Sequence, residues 1–317
     1  MNPLYLPIEP YAIHHLDVGA GHRLHVEECG CPEGIPVIFL HGGPGSGCRA
    51  DHRRYFDPGH YRILLFDQRG SGRSTPAGSS DHNETAHLIE DMERIRTGLK
   101  VDRWLLFGGS WGAALALLYA QTYPTEVLGL VLRGTFLARQ RDLDWFFGPD
   151  GVARLLPDAW QAFLARIPAG EQQDPIGAYA RRLHGPDNAV AIEYALAWAA
   201  WGDRVVTWNR SAVSAGTDTA RILAQARIES RYARHLYFLA DNAVLEAAAR
   251  LPAVPLVIVH GARDLVCPLE GAWALHRAVP GSRLRVVEEA GHPASDPAII
   301  DALVSETDRF HTRPASA

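Results

Sequence analysis

The sequence has little of what would tie it to a membrane, a nucleic acid or an export route. No apolar run approaches the roughly 18 residues of a membrane-spanning helix, and stretches such as Pro255 to His260 are only strand-length. Met1 to Tyr11 contains three prolines and no basic start ahead of an apolar core, so no signal peptide is expected. Charge of one sign is also scarce. With 31 basic and 36 acidic side chains the net charge is −5, spread without blocks, which excludes binding by neutralisation of nucleic-acid phosphates. The four cysteines, Cys29, Cys31, Cys48 and Cys267, are too few for the disulfide framework of a secreted chain. Cys29-Gly30-Cys31 has no second Cys/His pair at zinc spacing, so these are expected to be free thiols of a cytoplasmic protein, with no metal site. The 15 histidines are scattered and are read mostly as ordinary surface or hydrogen-bonded residues.

What is there is a strand-and-helix alternation. A chain of 317 residues, 47% apolar, has room for two domains or one large α/β unit with an insertion. Tyr11 to Val18 and Arg23 to Glu28, joined by Gly19-Ala20-Gly21-His22, read as an antiparallel hairpin. Six dense apolar runs follow: Pro36 to Leu40, Tyr61 to Phe66, Trp104 to Phe107, Val127 to Leu132, Leu256 to Val259 and Leu284 to Val287. They do not alternate with polar residues, as expected of strands covered on both faces. Helical patterns lie between them at Glu84 to Leu99, Trp111 to Tyr123, Leu269 to Ala278 and Ala298 to Phe310. This order predicts a mostly parallel sheet wrapped by helices. From Gly134 to about Asn242 the alternation stops, in a stretch rich in Ala, Arg and Trp without a convincing buried strand. The expected organisation is a core over 1–133, a helical insertion over 134–241 and a returning core over 242–317. Thr312 to Ala317 is expected to fray.

Gly108-Gly109-Ser110-Trp111-Gly112 is the G-x-S-x-G sequence of the chain, and it sits between the apolar run Trp104 to Phe107 and the helix from Trp111. A nucleophile at such a sharp turn needs small neighbours, and the helix start offers unpaired N–H groups to negative charge. A serine hydroxyl also needs a base and a group to orient that base. Asp264 follows the run Leu256 to Val259, and His292 follows Leu284 to Val287, in the order Ser, acid, His. His41-Gly42-Gly43-Pro44-Gly45 follows Pro36 to Leu40, and the N–H groups of Gly43 and Trp111 are the expected oxyanion donors. His41 is read as shaping that loop, and Asp67 to Ser74 as a turn bracing it; Ser71 lacks the strand-to-helix context of Ser110.

Through His41 to Gly45, Asp67 to Ser74, Gly108 to Gly112, Arg133-Gly134, Asp264 to Pro268 and Ala290 to His292, the chain resembles the prolyl aminopeptidases (proline iminopeptidases) of the α/β-hydrolase superfamily. The resemblance covers nearly the whole chain. It implies an α/β-hydrolase fold with an inserted helical cap domain, and removal of N-terminal proline from short peptides without metal or cofactor. It implies Ser110 as nucleophile, His292 as base and then acid, and Asp264 as the residue that orients it. The related epoxide hydrolases and dehalogenases carry Asp where Ser110 stands. In the cap, Glu229 matches an amine-binding glutamate, and Phe136 and Phe147 are candidate walls for the pyrrolidine ring.

The resemblance breaks at two places in the cap. The family's Trp-Glu pair reads Trp201-Gly202 here, with Asp203 one residue on and one methylene shorter. One helical step turns a side chain by about 100°, and Arg204 stands ready to neutralise Asp203. An aromatic residue expected four positions after Glu229 is Ala233. Two activities therefore compete: a serine exopeptidase for N-terminal proline or a related small residue, and a carboxylesterase or amidase for small acyl substrates. A binding protein without catalysis does not account for an intact Ser-Asp-His set. The substrate is expected to be a short peptide or small molecule, not nucleic acid or membrane.

Overall fold

The structure is a computed structural model that describes residues 2–208 and 218–312. Of the tail expected to fray, Thr312 caps the C-terminal helix, and 313–317 lie outside the described residues. The strands are β1 (Ala12–Asp17), β2 (Arg23–Gly30), β3 (Ile35–Leu40), β4 (Tyr61–Phe66), β5 (Trp104–Gly109), β6 (Val127–Arg133), β7 (Leu256–Gly261) and β8 (Arg283–Val287). They form one sheet in the order β1-β2-β4-β3-β5-β6-β7-β8. β1 pairs antiparallel with β2, and β2 with β4. Every later pairing is parallel. The mostly parallel sheet with flanking helices is borne out.

The apolar runs work because each strand sends alternate side chains to two separate cores. In β5, Trp104 and Leu106 join one core and Leu105 and Phe107 the other. The first core is closed by α1 (Thr85–Gly98) and α2 (Trp111–Thr122), the second by the C-terminal helix. Because α2 is buried continuously from Trp111 to Ala120, it lacks the polar face of a surface helix. β8 departs from the expectation of a strand covered on both faces. It is the last strand of the sheet and is half-buried along its whole length.

Among the described residues six α-helices lie between β6 and β7: α3 (Gln140–Phe147), α4 (Pro157–Leu164), α5 (Pro175–Leu183), α6 (Asn188–Val206), α7 (Thr219–Arg234) and the short α8 (Ala243–Glu246). Then come α9 (Leu269–Ala278) and α10 (Pro297–His311). Trp160, Phe163, Tyr179, Trp198 and Trp201 pack as an aromatic cluster among α4, α5 and α6. Polar ties fasten this layer to the sheet: Trp145 Nε1 donates to Leu265 O at 2.8 Å, Trp208 Nε1 to Arg263 O at 3.0 Å, and Arg139 bonds Glu270 at 2.7 Å. No helix among the described residues is long and apolar enough to cross a membrane. All four cysteines are free thiols.

Register decides what meets at the site. Leu40 lies beside Gly108, and Gly109 beside Arg133, so the segments after β3, β5 and β6 leave the sheet at the same edge.

Candidate active site

Ser110 stands at the turn from β5 into α2 with φ +57° and ψ −123°, a conformation side chains other than glycine rarely adopt. Its N–H donates to Arg133 O at 2.9 Å, which anchors the strained residue to β6. The surrounding glycines are needed for close approach. A side chain on Gly112 would strike the Leu40 carbonyl, and one on Gly109 would strike the Arg133 guanidinium.

Asp264 is fixed by the loop after β7. Its Oδ1 accepts the N–H groups of Val266 and Cys267, both at 2.9 Å, and its Oδ2 meets His292 Nδ1 at 2.7 Å. Burial pushes this carboxyl up, but the charge and hydrogen bond of His292, with His260 and the Cys267 N–H, hold it below the usual carboxylate range. His260, just upstream, is fully buried. It accepts the Thr135 N–H on Nδ1 and meets Cys267 O through Nε2, and burial holds its pKa down. It therefore acts as a neutral brace under the acid loop. Gly134 has φ +52°, and a Cβ there would lie 3.2 Å from both Asp264 and the His292 ring.

With Nδ1–H turned to Asp264, His292 Nε2 is an acceptor. In this structure it takes a hydrogen bond from Arg133 Nη1 at 3.2 Å, and the same nitrogen donates to His292 O at 3.0 Å. No hydrogen bond joins Ser110 Oγ to Nε2 among the described residues. In the sequence Arg133 is only part of the Arg133-Gly134 motif; its contact with the imidazole depends on the fold and leaves no local trace there. Cys267 faces Ser110, and its thiol is pushed well up by burial.

The glycine loop after β3 is held from below. His41 Nε2 accepts the Gln68 N–H at 3.0 Å, so Nδ1 donates to Gly42 O at 3.0 Å. The Gln68 amide donates to His41 O and accepts from Trp111 Nε1, both at 3.0 Å. Asp67 accepts the Cys48 N–H and bonds Arg73, and Arg69 forms a two-pronged pair with Asp91. Burial holds His41 neutral. The N–H groups of Gly43 and Trp111 have no protein acceptor among the described hydrogen bonds.

A cavity of about 630 Å³ opens above Ser110 and His292, and α3, α6 and α7 supply its helical wall. Phe136 and Phe147 line it, with Tyr237 4.8 Å from Phe136 and 5.2 Å from Trp111. Glu229 lies half-buried in the cavity wall, accepting from Gln225 and Trp198 at 2.8 Å each. Burial raises its carboxyl to about 7; the two donors pull it back and the Asp203 charge pushes it further up. Asp203 therefore faces Glu229 and lines the same cavity despite its one-residue offset. Arg204 does not neutralise it, because its guanidinium bonds Trp208 O at 2.9 Å. Beyond the Gly202 Cα there is open space, and Ala233 also lines the cavity. Of groups able to share a metal ion, the described residues bring together Asp57, His60 and His311, at the opposite end of the strands from Ser110.

A serine, an imidazole held by a carboxylate, two free N–H donors and an enclosed acidic end can carry acyl transfer from a substrate bearing a cation. The α/β hydrolase fold family matches residues 35–297. A proline iminopeptidase of Xylella fastidiosa is 45% identical over 313 residues, covering 98% of this chain and all of that protein. One of Xanthomonas citri is 46% identical over 313 residues with the same coverage. Among solved structures, an esterase from Rhodococcus sp. ECU1013 has a TM-score of 0.62 at 20% identity, covering 95% of this chain and 98% of that one.

Proposed function

Because this chain belongs to the proline iminopeptidases of the α/β-hydrolase fold, we propose that it releases N-terminal proline from short peptides in the cytoplasm. The observation that carries the reading is the half-buried Glu229, which with Asp203 lines the same cavity as Ser110 and His292. An ammonium in so apolar an enclosure needs a carboxylate partner, and the pyrrolidine ring needs apolar walls. Glu229 and Asp203 take the amine, and Phe136 and Phe147 take the ring.

The residues 134–241 act as a cap domain over a core formed by 1–133 and 242–317. Ser110 attacks the scissile carbonyl while His292 Nε2 accepts its proton, for which the Arg133 hydrogen bond gives way. Asp264 holds the imidazole in the tautomer that makes this possible. Gly43 and Trp111 N–H groups stabilise the oxyanion, and His292 then protonates the leaving amine. Water hydrolyses the prolyl-enzyme with His292 again as base.

The open space beside Gly202 and Ala233 favours a second reading, an esterase or amidase for small acyl groups. The two separate on proline p-nitroanilide and p-nitrophenyl butyrate, each assayed with wild type and Ser110→Ala. Serine-dependent cleavage of the anilide is the expected result. Ester turnover without anilide turnover would mean that the amine site no longer works.

A further inference from the structure

Charge is divided within the cavity. Its acidic groups without a cationic partner among the described residues, Glu229 and Asp203, belong to α7 and α6. Arg49 and Arg221 line it as well. Arg49 follows the glycine loop and is exposed; Arg221 lies in the first turn of α7 and donates to Ser46 O at 3.0 Å, spanning the gap between helical layer and glycine loop. Neither pairs with a carboxylate among the described residues. Asp51, the nearest acid in sequence to Arg49, is held by Arg54 at 2.9 Å. Beside Arg49, His52 stacks on Phe39 at 4.3 Å and accepts the Arg49 N–H at 3.1 Å. Burial, with the Arg49, His41 and Arg133 charges, holds His52 down to about 3, so it adds no proton of its own to this wall.

The helix supplies a ruler. Arg221, Gln225 and Glu229 are spaced four apart on one face of α7 and all line the cavity. At 1.5 Å per residue, Arg221 and Glu229 lie about 12 Å apart along the axis. An extended chain spans about 3.3–3.6 Å per residue, so two or three residues, with the reach of the two side chains, bridge that distance.

We propose that Arg221, with Arg49 across the mouth, forms a carboxylate-binding subsite on the leaving-group side of Ser110, so that the preferred substrates are peptides of two or three residues with a free C-terminal carboxylate. The proposal rests on the prolyl aminopeptidase reading and adds the far end of the substrate to it. Arg133 is not counted, because its Nη1 is bonded to His292 O at 3.0 Å, a contact that stays when the one to Nε2 gives way. The attraction is electrostatic at a half-open site, so it weakens with salt.

The test compares kcat/KM for Pro-Ala-Ala with that for its C-terminal amide, in wild type, Arg49→Gln, Arg221→Gln and the double variant. Each variant's own amide value is its reference, which removes general damage to catalysis or folding. Wild type should favour the free acid about tenfold, mostly through KM, and 0.5 M salt should shrink the preference. The acid-to-amide ratio should drop in each single variant and approach one in the double variant. A wild-type ratio near one, or a high ratio undiminished in the double variant, overturns the subsite while leaving the prolyl aminopeptidase intact. Failure to cut either peptide, with p-nitrophenyl butyrate still hydrolysed, overturns both.

Discussion

The two ends of the cavity are built by opposite means. At the sheet end, polar groups are held by hydrogen bonds from backbone and loops: Asp264 by two N–H groups, Gln68 by three bonds, His260 by two. At the helical end the walls are aromatic, Glu229 has two donors, and the Tyr237 hydroxyl has no protein partner among the described residues. The first environment stabilises charge before substrate arrives, as Asp264 with its depressed pKa shows. The second raises the cost of charge, as Glu229 shows. A site that destabilises its own carboxylate gains by taking up a cation. The sheet end thus suits chemistry common to many acyl substrates, and the helical end suits choosing among them.

That division can be broken by mutation. Ser110→Ala should lower turnover of proline anilide and butyrate ester alike by about four to six orders of magnitude, leaving only residual catalysis. Loss on one substrate alone would mean that the two reactions do not share Ser110. Glu229→Gln should act on one side only, cutting kcat/KM for the anilide about a hundredfold, since an ammonium would face a neutral amide, and sparing the ester. With wild type, the anilide-to-ester ratio should fall as pH drops below about 7, because Glu229 takes up its proton there; any titration of the triad cancels in the ratio. A flat ratio would place the amine elsewhere.

The same carboxyl predicts stability. Its folded pKa, about 7, lies above the ordinary 4.5. The folded state therefore binds the proton more tightly, and the resulting stability is present in full below about pH 4.5 and lost as pH rises through 7. Glu229→Gln should raise the melting temperature at pH 8 by a few degrees and hardly change it at pH 4.5. An unchanged melting temperature at pH 8 would show that Glu229 is better solvated than its enclosure implies.

Gln68 probes the sheet end. Gln68→Leu leaves the Trp111 indole N–H and the His41 carbonyl without their bonds, at a cost of about 1–3 kcal/mol for each buried group. Turnover of both substrates should drop by about tenfold as the glycine loop loosens. A loss confined to the anilide would contradict the division between the two ends.

The same contrast explains which parts were legible in the sequence. The strands, the elbow and the acid and histidine loops follow from apolar runs and from glycines whose spacing is fixed by backbone approach, as at Gly112 against Leu40. Such constraints are local, so they leave local patterns. The edge position of β8 was hidden because an apolar run looks alike at the centre of a sheet and at its margin. The Arg133 contact with His292 joins residues 159 positions apart, and Tyr237 reaches the cavity through a backbone turn with φ +56° that no spacing rule signals. Asp203 leaves the least local trace. Its angular offset on α6 argued against a shared wall, but the cavity is wide enough to admit both Gly202 and Asp203.

Asp203 accordingly gives the smallest and most discriminating effect. Burial raises its carboxyl, and its charge in turn raises that of Glu229. Asp203→Asn should therefore do two things at once. It removes part of the attraction for the substrate amine, lowering anilide kcat/KM a few-fold at pH 8, where Glu229 is ionised in either protein. It also removes the repulsion that opposes ionisation of Glu229, so the acid limb of the anilide-to-ester ratio moves to lower pH. At pH 6 the second effect offsets the first, and the deficit relative to wild type should narrow or vanish. A deficit of equal size at both pH values would mean that Asp203 meets the substrate without sensing Glu229. No deficit at pH 8, with the limb unmoved, would leave Glu229 alone as the partner of the amine.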